Sequence, residues 1–481
     1  MRAERLLRVA AAAIILGFGP GVAAEGGGPA ASVPAASSPA SATPLTLDSA
    51  LALAHERSGS LRIKQLEIER SGYSVNEAFA RGLPALSLTG SSTYMNNPPK
   101  GIKISQGAFG LAPAPGSQYP VAFPDLDYIL LADTLPTYFK VDASLDQVLW
   151  TWGKIEKATE LARLDVQLAR VAVRADESAL VRDVSKTYFG VVMARETLGP
   201  LREATTIMEG IIKDRKSSFG EGRATRQDLL EAGSKAAELA YQLVKAEQSL
   251  ETGLDALEFY LGRRPSAGDL SGNFRKAPPS LDQRSLVESA LRSSTDLESL
   301  TLKARQAALA KDIRAASLPG LPDFSLNVTW EVTGQKIPLY SSNWTNTWKN
   351  NLMVTLGGKV ILFDSLASFW RLREAESQAG QADIGISELK RGMGIQVRKL
   401  VEAVQANAAL SVQCAAAAEL SAERARVARI SRENELITRT EEGGAKIADI
   451  SSRLALLLAR FQTENALLDL EFASAGSLAR P

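Results

Sequence analysis

Four stretches of the chain alternate apolar and polar residues with the period of two that a β-strand requires. They cover residues 86–94, 139–150, 324–333 and 351–362. In the third stretch, aromatic and branched residues alternate with serine, asparagine, threonine and glutamate. Each stretch is about as long as the nine to eleven residues that a tilted strand needs to cross a bilayer. The pattern therefore predicts four strands, each with one apolar and one polar face.

Aromatic residues lie at or near the ends of these strands, where a membrane protein carries its aromatic girdle: Tyr94, Tyr138, Trp330, Trp344 and Trp348. Two soluble hairpins with one wet face would show the same alternation, and the aromatic residues favour membrane strands over that alternative. Four strands cannot close a membrane barrel, whose minimum is about eight, and an open sheet edge is not tolerated in lipid. Several chains must therefore share one barrel.

Long segments that follow the strands carry the three- and four-residue spacing of a coiled coil. Leu164 and Leu168 lie in one such seam, and Ile386 and Leu389 lie in another. A helix from residue 154 to residue 217 would be roughly 90 Å long at 1.5 Å per residue. An ordinary helical bundle would show the same seams, but it does not explain why each long helix directly follows a strand hairpin.

The order of elements occurs twice along the chain. Three motifs recur in the same order: GLPALSL at 82–88 with GLPDFSL at 320–326, VLWT at 148–151 with ILFD at 361–364, and GRATRQD at 222–228 with GGAKIAD at 443–449. Each half therefore reads helix, strand, strand, long helix, glycine turn, helix, which indicates an internal duplication. The third motif pair places the second glycine turn at Gly443 and Gly444.

The chain begins like a secretory signal peptide. Arginines at positions 2, 5 and 8 precede a short apolar run, and Val22-Ala23-Ala24 offers a small-residue cleavage site. The apolar run is shorter than the roughly 20 residues that a membrane-spanning helix needs. The predicted organisation is signal peptide 1–24, flexible leader 25–44, first repeat 45–265, inter-repeat linker 266–280, second repeat 281–475 and tail 476–481.

Composition narrows the possible chemistry. Lys and Arg number 55 against 54 Asp and Glu, so no basic excess predicts a nucleic-acid partner. His55 and Cys414 are the single residues of their types, which excludes a disulfide or a His/Cys zinc cluster within one chain. We interpret both as structural residues, and no cofactor or metal is predicted. An enzyme based on carboxylates is the remaining catalytic alternative, although no motif places two acids in a defined site.

The signal peptide, the duplicated order of elements and the turn followed by an Asp-aliphatic pair together resemble the outer-membrane efflux protein (TolC) family over about residues 45–475. The resemblance implies a mainly α fold with a small β part. Three chains would build a twelve-stranded outer-membrane β-barrel, four strands each, which continues into the periplasm as an α-helical barrel. The implied protein is not an enzyme. It is the exit duct of a tripartite efflux pump or a type I secretion system.

The resemblance also implies partners: a homotrimer, a periplasmic adaptor (membrane fusion protein), an inner-membrane transporter and the lipid of the outer membrane. A periplasmic coiled-coil adaptor, or a structural protein without a pore, is the alternative. Adaptors have one helical hairpin flanked by small β-domains, so two hairpin copies and four membrane-length strands argue against the adaptor. The exported substrate is not specified by the sequence.

The resemblance further places an inward-facing acidic ring at the closed periplasmic tip of the tube. Matching turn to turn puts Asp449 in this ring, with Asp228 and Glu231 at the corresponding positions of the first repeat. The alternative for each acid is a solvated helix start, where negative charge favours the helix dipole. Lys446 is expected to offset part of the charge of Asp449.

The tip turns are expected to contact the adaptor through residues Gly222, Arg223, Gly443, Gly444 and Lys446. Their sequences are more polar than the family pattern of an aliphatic residue, glycine and a small or aliphatic residue. At the other end of the molecule, the proline-containing segment 95–137 is much longer than its mirror, 334–350. We interpret the longer segment as an extracellular insertion above the pore.

Overall fold

The computed structural model describes residues 45–104, 128–129, 134–275, 281–336 and 343–474. These residues belong to one compact unit that begins at Leu45. The predicted signal peptide, leader and tail, and most of the predicted extracellular insertion, lie outside the described residues.

Each half of the chain contains two shorter helices, two long strands and two longer helices. In the first half these are α1 (Leu47–Arg57), α2 (Gly59–Ala80), β1 (Ala85–Tyr94), the two-residue strands β2 (Lys103–Ile104) and β3 (Tyr128–Ile129), β4 (Thr137–Trp150), α3 (Lys154–Gly220) and α4 (Arg226–Leu261). In the second half they are α5 (Gln283–Ser293), α6 (Thr295–Ala315), β5 (Asp323–Gly334), a 3-10 turn (Trp344–Thr347), β6 (Lys349–Lys359), α7 (Ala367–Glu433) and α8 (Arg439–Ala473). Among the helices within the described ranges, none is both long and apolar enough to cross a membrane.

The four long strands form one antiparallel sheet in the order β1-β4-β5-β6. Their register separates the side chains into two faces. One row across the sheet is apolar, and the neighbouring row is polar: Leu88, Ala143, Trp330 and Leu352, then Thr89, Asp142, Glu331 and Asn351. The predicted strands and their alternation are confirmed. β1 and β6 are the outer strands of this sheet, so each has one side without a neighbouring strand within the described residues.

A left-handed corner joins each hairpin to its long helix. Trp152 and Gly153 have positive φ values of 56° and 76° between β4 and α3, and Ser365 and Leu366 have φ values of 57° and 62° between β6 and α7. The two helices that follow are each 67 residues long. The corner and the equal helix lengths agree with the predicted pairing of residues 148–151 with residues 361–364.

The predicted position of the second turn is wrong. α7 ends at Glu433 and α8 begins at Arg439, so the turn lies at residues 434–438, and Gly443 and Gly444 lie inside α8. The counterpart of Gly222 is Glu435, because each has a positive φ just after its long helix, 67° and 58°. The glycine pair resembles a turn in sequence, but α8 begins before it, at Arg439, with Thr438 as its N-cap.

Helix α3 lies at the centre of the packing. It contacts α2, α4, α6 and α8, while α7 contacts α5, α6 and α8. The largest apolar cluster joins α1, α3, α4 and α8, and a second joins α5, α7 and α8. Leu164 is buried and Leu168 half-buried beside Leu302 of α6, as the heptad spacing predicts. The arrangement leaves one side of α4 and one side of α7 at the margins of the helical layer.

Candidate functional site at the helix turns

The first turn is closed by a capping box at the start of α4. The backbone N–H and the hydroxyl of Thr225 donate to Asp228 Oδ2 at 2.8 Å and 2.7 Å, and the Asp228 N–H donates to Thr225 Oγ1 at 3.1 Å. These two donated hydrogen bonds lower the pKa of Asp228. The Asp228 carboxylate therefore caps the start of α4. This agrees with the second of the two roles considered for Asp228, a solvated helix start rather than a pore ring.

The second turn repeats this geometry with a glutamate. Thr438 donates through its N–H and its hydroxyl to Glu441 Oε2 at 2.7 Å and 2.9 Å, and these bonds lower the pKa of Glu441. The charge of Arg215, near the end of α3, lowers the pKa of Glu441 and of Asp228 as well. The two turns therefore lie near the same end of α3, and Glu441 is the residue that corresponds to Asp228.

The structure does not place the third predicted acid at a turn. Asp449 lies well inside α8, where its side chain is 13% exposed and its Oδ2 accepts a contact of 2.8 Å from Arg453 Nη2. Its Oδ1 is buried and has no hydrogen-bond partner among the residues described. Lys446 pairs with a different acid, since its Nζ lies 2.6 Å from Glu442 Oε1, and the cation in contact with Asp449 is Arg453. The predicted partner of Asp449 is thus wrong.

Glu231 is open to solvent. Its side chain is 66% exposed, and the nearest cation is Lys235 Nζ at 3.8 Å, one turn later in α4. At the turn itself, Arg223 forms an ion pair with Glu221. The turn residues of the first repeat are therefore charged and accessible.

Gly443 serves a close approach between helices rather than a turn. A Cβ atom at this position would lie 3.0 Å from Ile211 Cδ1 and 3.2 Å from Ile207 Cγ2 of α3, whereas a Cβ atom at Gly444 would meet open space. One ion pair joins α8 to α3 nearby, with Arg439 Nε 4.0 Å from Asp214 Oδ2. The missing side chain at Gly443 lets α8 pack against α3 close to the turns.

A belt around the middle of α3 is a feature that sequence reasoning missed. Tyr188 Oη lies 2.7 Å from the carbonyl of Leu45 and 2.6 Å from that of Ser271. Arg195 donates to the carbonyls of Ala267 and Leu270 at 3.2 Å and 2.5 Å. Leu45 and Leu270 also form an isolated parallel bridge. The belt, residues 262–275, runs from the end of the first repeat into the predicted linker, and these contacts fasten the linker to α3.

Arg275 at the end of the belt reaches α8. Its guanidinium contacts Glu464 at 2.8 Å and Glu471 at 2.9 Å, and the side chains of these two acids are 3% and 9% exposed. No local signal in the sequence links the three residues, because the arginine lies almost 190 positions before its nearer partner. The belt therefore ties the two repeats together far from the turns.

No metal centre accompanies these features in the part of the chain that the structure describes, where no group of three or more His, Cys, Asp or Glu side chains is arranged to hold an ion.

The sequence from residue 50 to residue 263 matches the family model described as "Outer membrane efflux protein". Over these residues the chain is similar to the outer membrane efflux protein family, as the sequence predicts. The match covers the first repeat, and the second repeat has the same order of helices and strands. No curated protein matches the sequence significantly.

Solved structures of outer-membrane proteins share the fold. The CmeC outer membrane channel of Campylobacter jejuni is 14% identical with a TM-score of 0.68, over 90% of this chain and 86% of that chain. VceC of Vibrio cholerae is 16% identical with a TM-score of 0.66, over 89% and 96%. The open MtrE channel of Neisseria gonorrhoeae is 16% identical with a TM-score of 0.64, over 90% and 89%. At these identities, the likeness establishes the fold.

The predicted family resemblance, fold class and outer-membrane location are therefore confirmed, with the helical part on the periplasmic side. The outer membrane efflux protein family is a family of channels rather than of enzymes. The alternative of a periplasmic adaptor has no support in these comparisons.

Proposed function

We propose that three copies of this chain form an exit duct through which an efflux pump or a type I secretion system passes its substrates to the exterior. The observation that carries the proposal is the sheet, whose register gives one apolar and one polar face and leaves β1 and β6 as open margins. A polar face suits a water-filled lumen, and an apolar face suits lipid.

Trimer formation follows from the margins of the sheet. In lipid, the unpaired backbone groups of β1 and β6 require hydrogen-bonded neighbours. Three copies of a four-stranded sheet satisfy them by joining β6 of one chain to β1 of the next. Exposed apolar residues on α4 and α7, such as Tyr241, Val244 and Leu420, are available for the matching contacts between helical layers. The duct itself catalyses no reaction in this proposal, and an inner-membrane transporter drives the flux.

The adaptor contacts the two helix turns in the proposed assembly. In the first turn, Gly222 and Arg223 keep the role predicted for them. In the second repeat the contact moves to residues 434–438, where Leu436 is exposed beside Glu435. Gly443, Gly444 and Lys446 lie inside α8, behind this turn. The two turns together expose arginine, glutamate and leucine side chains. We therefore expect the adaptor surface that contacts them to be polar, with an apolar pocket for Leu436.

Charge near the turns gives the proposed duct a cation preference, because acids in a narrow passage attract cations. Glu231 is expected to dominate over Asp449, since its side chain is far more exposed and Asp449 has Arg453 as a close partner. Asp228 is expected to act mainly through its helix cap.

Single-channel recording of the purified trimer in planar bilayers tests this proposal. Glu231→Gln should reduce the preference for cations more than Asp449→Asn, measured as the reversal potential under a salt gradient. The control Glu288→Gln removes an exposed acid on α5, an element that packs on α7 away from the turns, and should leave the reversal potential unchanged. A purified protein that conducts no ions would overturn the duct. A larger effect of Asp449→Asn would overturn the ranking of the acids.

A further inference from the structure

A wide groove lies on one face of α3, between α4 and α8. Its volume is about 890 Å³, within the range of roughly 300–1,000 Å³ that is common for small-molecule sites. α3 contributes Gly190 and Leu201 to the lining, α4 contributes Ala246, and α8 contributes Leu458 and Phe461. The groove is therefore large enough for an organic molecule of moderate size.

The groove offers few free hydrogen-bond donors, although hydroxyl side chains line it. Four of these hydroxyls donate to main-chain carbonyls one turn earlier in their own helices, at distances between 2.7 and 2.9 Å: Thr187, Thr197, Ser249 and Thr252. A hydroxyl that bonds back to its own helix has already used its proton. The lining therefore favours a ligand whose body is apolar.

Gly190 leaves space in the groove that the chain itself does not fill. A Cβ atom at this position would have no neighbour within 4 Å, whereas a Cβ atom at Gly253 of α4 would lie 2.7 Å from Val191 Cγ2. The close approach of α4 to α3 accounts for Gly253. Among the described residues, no packing contact requires a glycine at position 190, although glycine weakens a helix relative to alanine. The open space is what a bound molecule would need.

A single charge accompanies this apolar lining. Lys245 of α4 is the one charged residue among those that line the groove, and within the described residues its ammonium takes part in no ion pair. The acid two positions later, Glu247, is engaged elsewhere, since its Oε1 lies 2.9 Å from Arg202 Nη2. An uncompensated ammonium beside an apolar groove complements a molecule that has an apolar body and one anionic group.

The groove opens on the side of the helical layer away from the belt. Tyr188 faces the belt, and Gly190 follows two residues later, about 200° further around α3. An extra layer of chain fits outside a tube more easily than inside it, so the opposite face of α3 borders the passage in the proposed duct. Lys245 also lies two heptads after Glu231, on the same stripe of α4 as the acid proposed to line the passage.

We propose that this groove is a transit site for organic anions with an apolar body, such as aryl or alkyl sulfonates and carboxylates. The apolar body lies along Met193, Leu458 and Phe461, and the anionic group lies at Lys245. Acids near the turns oppose the entry of anions, and the apolar contacts of the groove compensate for that opposition. The inference rests on the proposed function and deepens it, because it names a substrate class for the duct.

Fluorescence titration of the purified full chain in nanodiscs tests the site. The probe anilinonaphthalene sulfonate carries one anionic group, and phenylnaphthylamine has the same rings without the sulfonate. After subtraction of empty nanodiscs, the sulfonate should bind saturably. Gly190→Leu fills the groove and should weaken this binding by about tenfold or more. The control Gly444→Leu also adds its side chain to open space, outside the groove, and should leave the binding unchanged.

The charge of the ligand is tested with Lys245→Gln. This variant should weaken the binding of the sulfonate by about fivefold and leave the binding of phenylnaphthylamine unchanged. Lys399→Gln is the control, because Lys399 is an exposed lysine of α7 and does not line the groove. Equal effects of Lys245→Gln on the two probes, or no effect on the sulfonate, would overturn the choice of an anion.

The groove itself would be overturned by either of two results: no saturable binding above empty nanodiscs, or the parental affinity in Gly190→Leu. At saturation, the sulfonate should also reduce the single-channel current of the parent protein but not that of Gly190→Leu. An unchanged parental current would overturn the transit role, because the groove would then lie outside the passage. A protein that binds the sulfonate but conducts no ions would instead contradict the proposed function.

Discussion

At the scale of single residues, the buried triad of the belt makes the strongest prediction. Glu464 and Glu471 share the guanidinium of Arg275 in a site with little access to water. Removing one partner of a buried ion pair costs about 3–5 kcal/mol, because the remaining charge is left uncompensated. Arg275→Met should therefore lower the stability of the trimer by several kcal/mol, measured by denaturant unfolding.

The matched control for this triad is an exposed pair. Arg292→Met breaks the contact between Arg292 and Glu288, whose side chains are both open to solvent. Exposed pairs contribute at most about 1 kcal/mol. Equal losses of stability in the two variants would show that the Arg275 triad does not hold the repeats together.

The two neighbouring glycines of α8 allow a sharper comparison. A glycine in the interior of a helix costs about 1 kcal/mol relative to alanine. Gly444→Ala adds its methyl group to open space and should stabilise the protein by up to that amount, whereas Gly443→Ala presses its methyl group against Ile207 and Ile211. Thermal unfolding should therefore show a gain for Gly444→Ala and no gain, or a loss, for Gly443→Ala. An equal gain in both variants would contradict the close packing of α8 on α3.

Residue-level sequence reasoning succeeded where the signal is local and failed where it is not. The charged first turn with Gly222 and Arg223 was predicted from adjacent residues. The Arg275 triad was missed because it joins distant parts of the chain. The predicted second turn is at the wrong residues because a glycine pair suits either a turn or a close contact between two helices. The sequence alone does not distinguish these two cases, and in the folded chain Gly443 lies in a close contact between α8 and α3.

At the scale of elements, the helices that follow the two turns, α4 and α8, each begin with a capping box. Replacing an N-cap threonine with alanine costs about 1 kcal/mol. Thr225→Ala and Thr438→Ala should therefore speed hydrogen exchange in the first turns of α4 and α8 about fivefold. Thr252→Ala is the control, since the Thr252 hydroxyl bonds within α4 to the Gln248 carbonyl and caps nothing. Unchanged exchange at both turns would contradict the cap assignment.

The caps also respond to acid in a defined direction. Their hydrogen bonds lower the pKa values of Asp228 and Glu441 in the folded protein. Their stabilisation is therefore complete above the ordinary carboxyl pKa values, about 3.9 and 4.3, and is lost as the pH falls through the lowered values. Exchange rates at the two turns, corrected for intrinsic chemistry, should accordingly rise below about pH 4. In the alanine variants this rise should be smaller.

The existence of the long elements follows from periodicity. The four strands and the two 67-residue helices occur close to where alternation and heptad spacing predict them. The corners were not predicted in detail, because Trp152, Ser365 and Leu366 have positive φ values without being glycine. Such conformations are imposed by the surrounding contacts rather than by local preference.

At the scale of the whole molecule, two separate features lead to the same assembly. The sheet has open margins at β1 and β6, and the helical layer has exposed apolar margins on α4 and α7. A single chain leaves both unsatisfied. The sequence alone indicates a shared barrel, because one chain has only four strands. The structure adds that the open margins belong to the first and last strands, so β6 of one chain can pair with β1 of an identical chain.

The number of chains in the particle extracted from outer membranes tests this account most directly. Native mass spectrometry of the detergent-solubilised protein, without chemical crosslinking, measures it. The account predicts a particle of three chains that does not dissociate when diluted in detergent, because twelve strands leave no open margin. A particle of one or two chains from the same membranes would contradict it, since β1 and β6 would then lack the partners that a closed barrel requires.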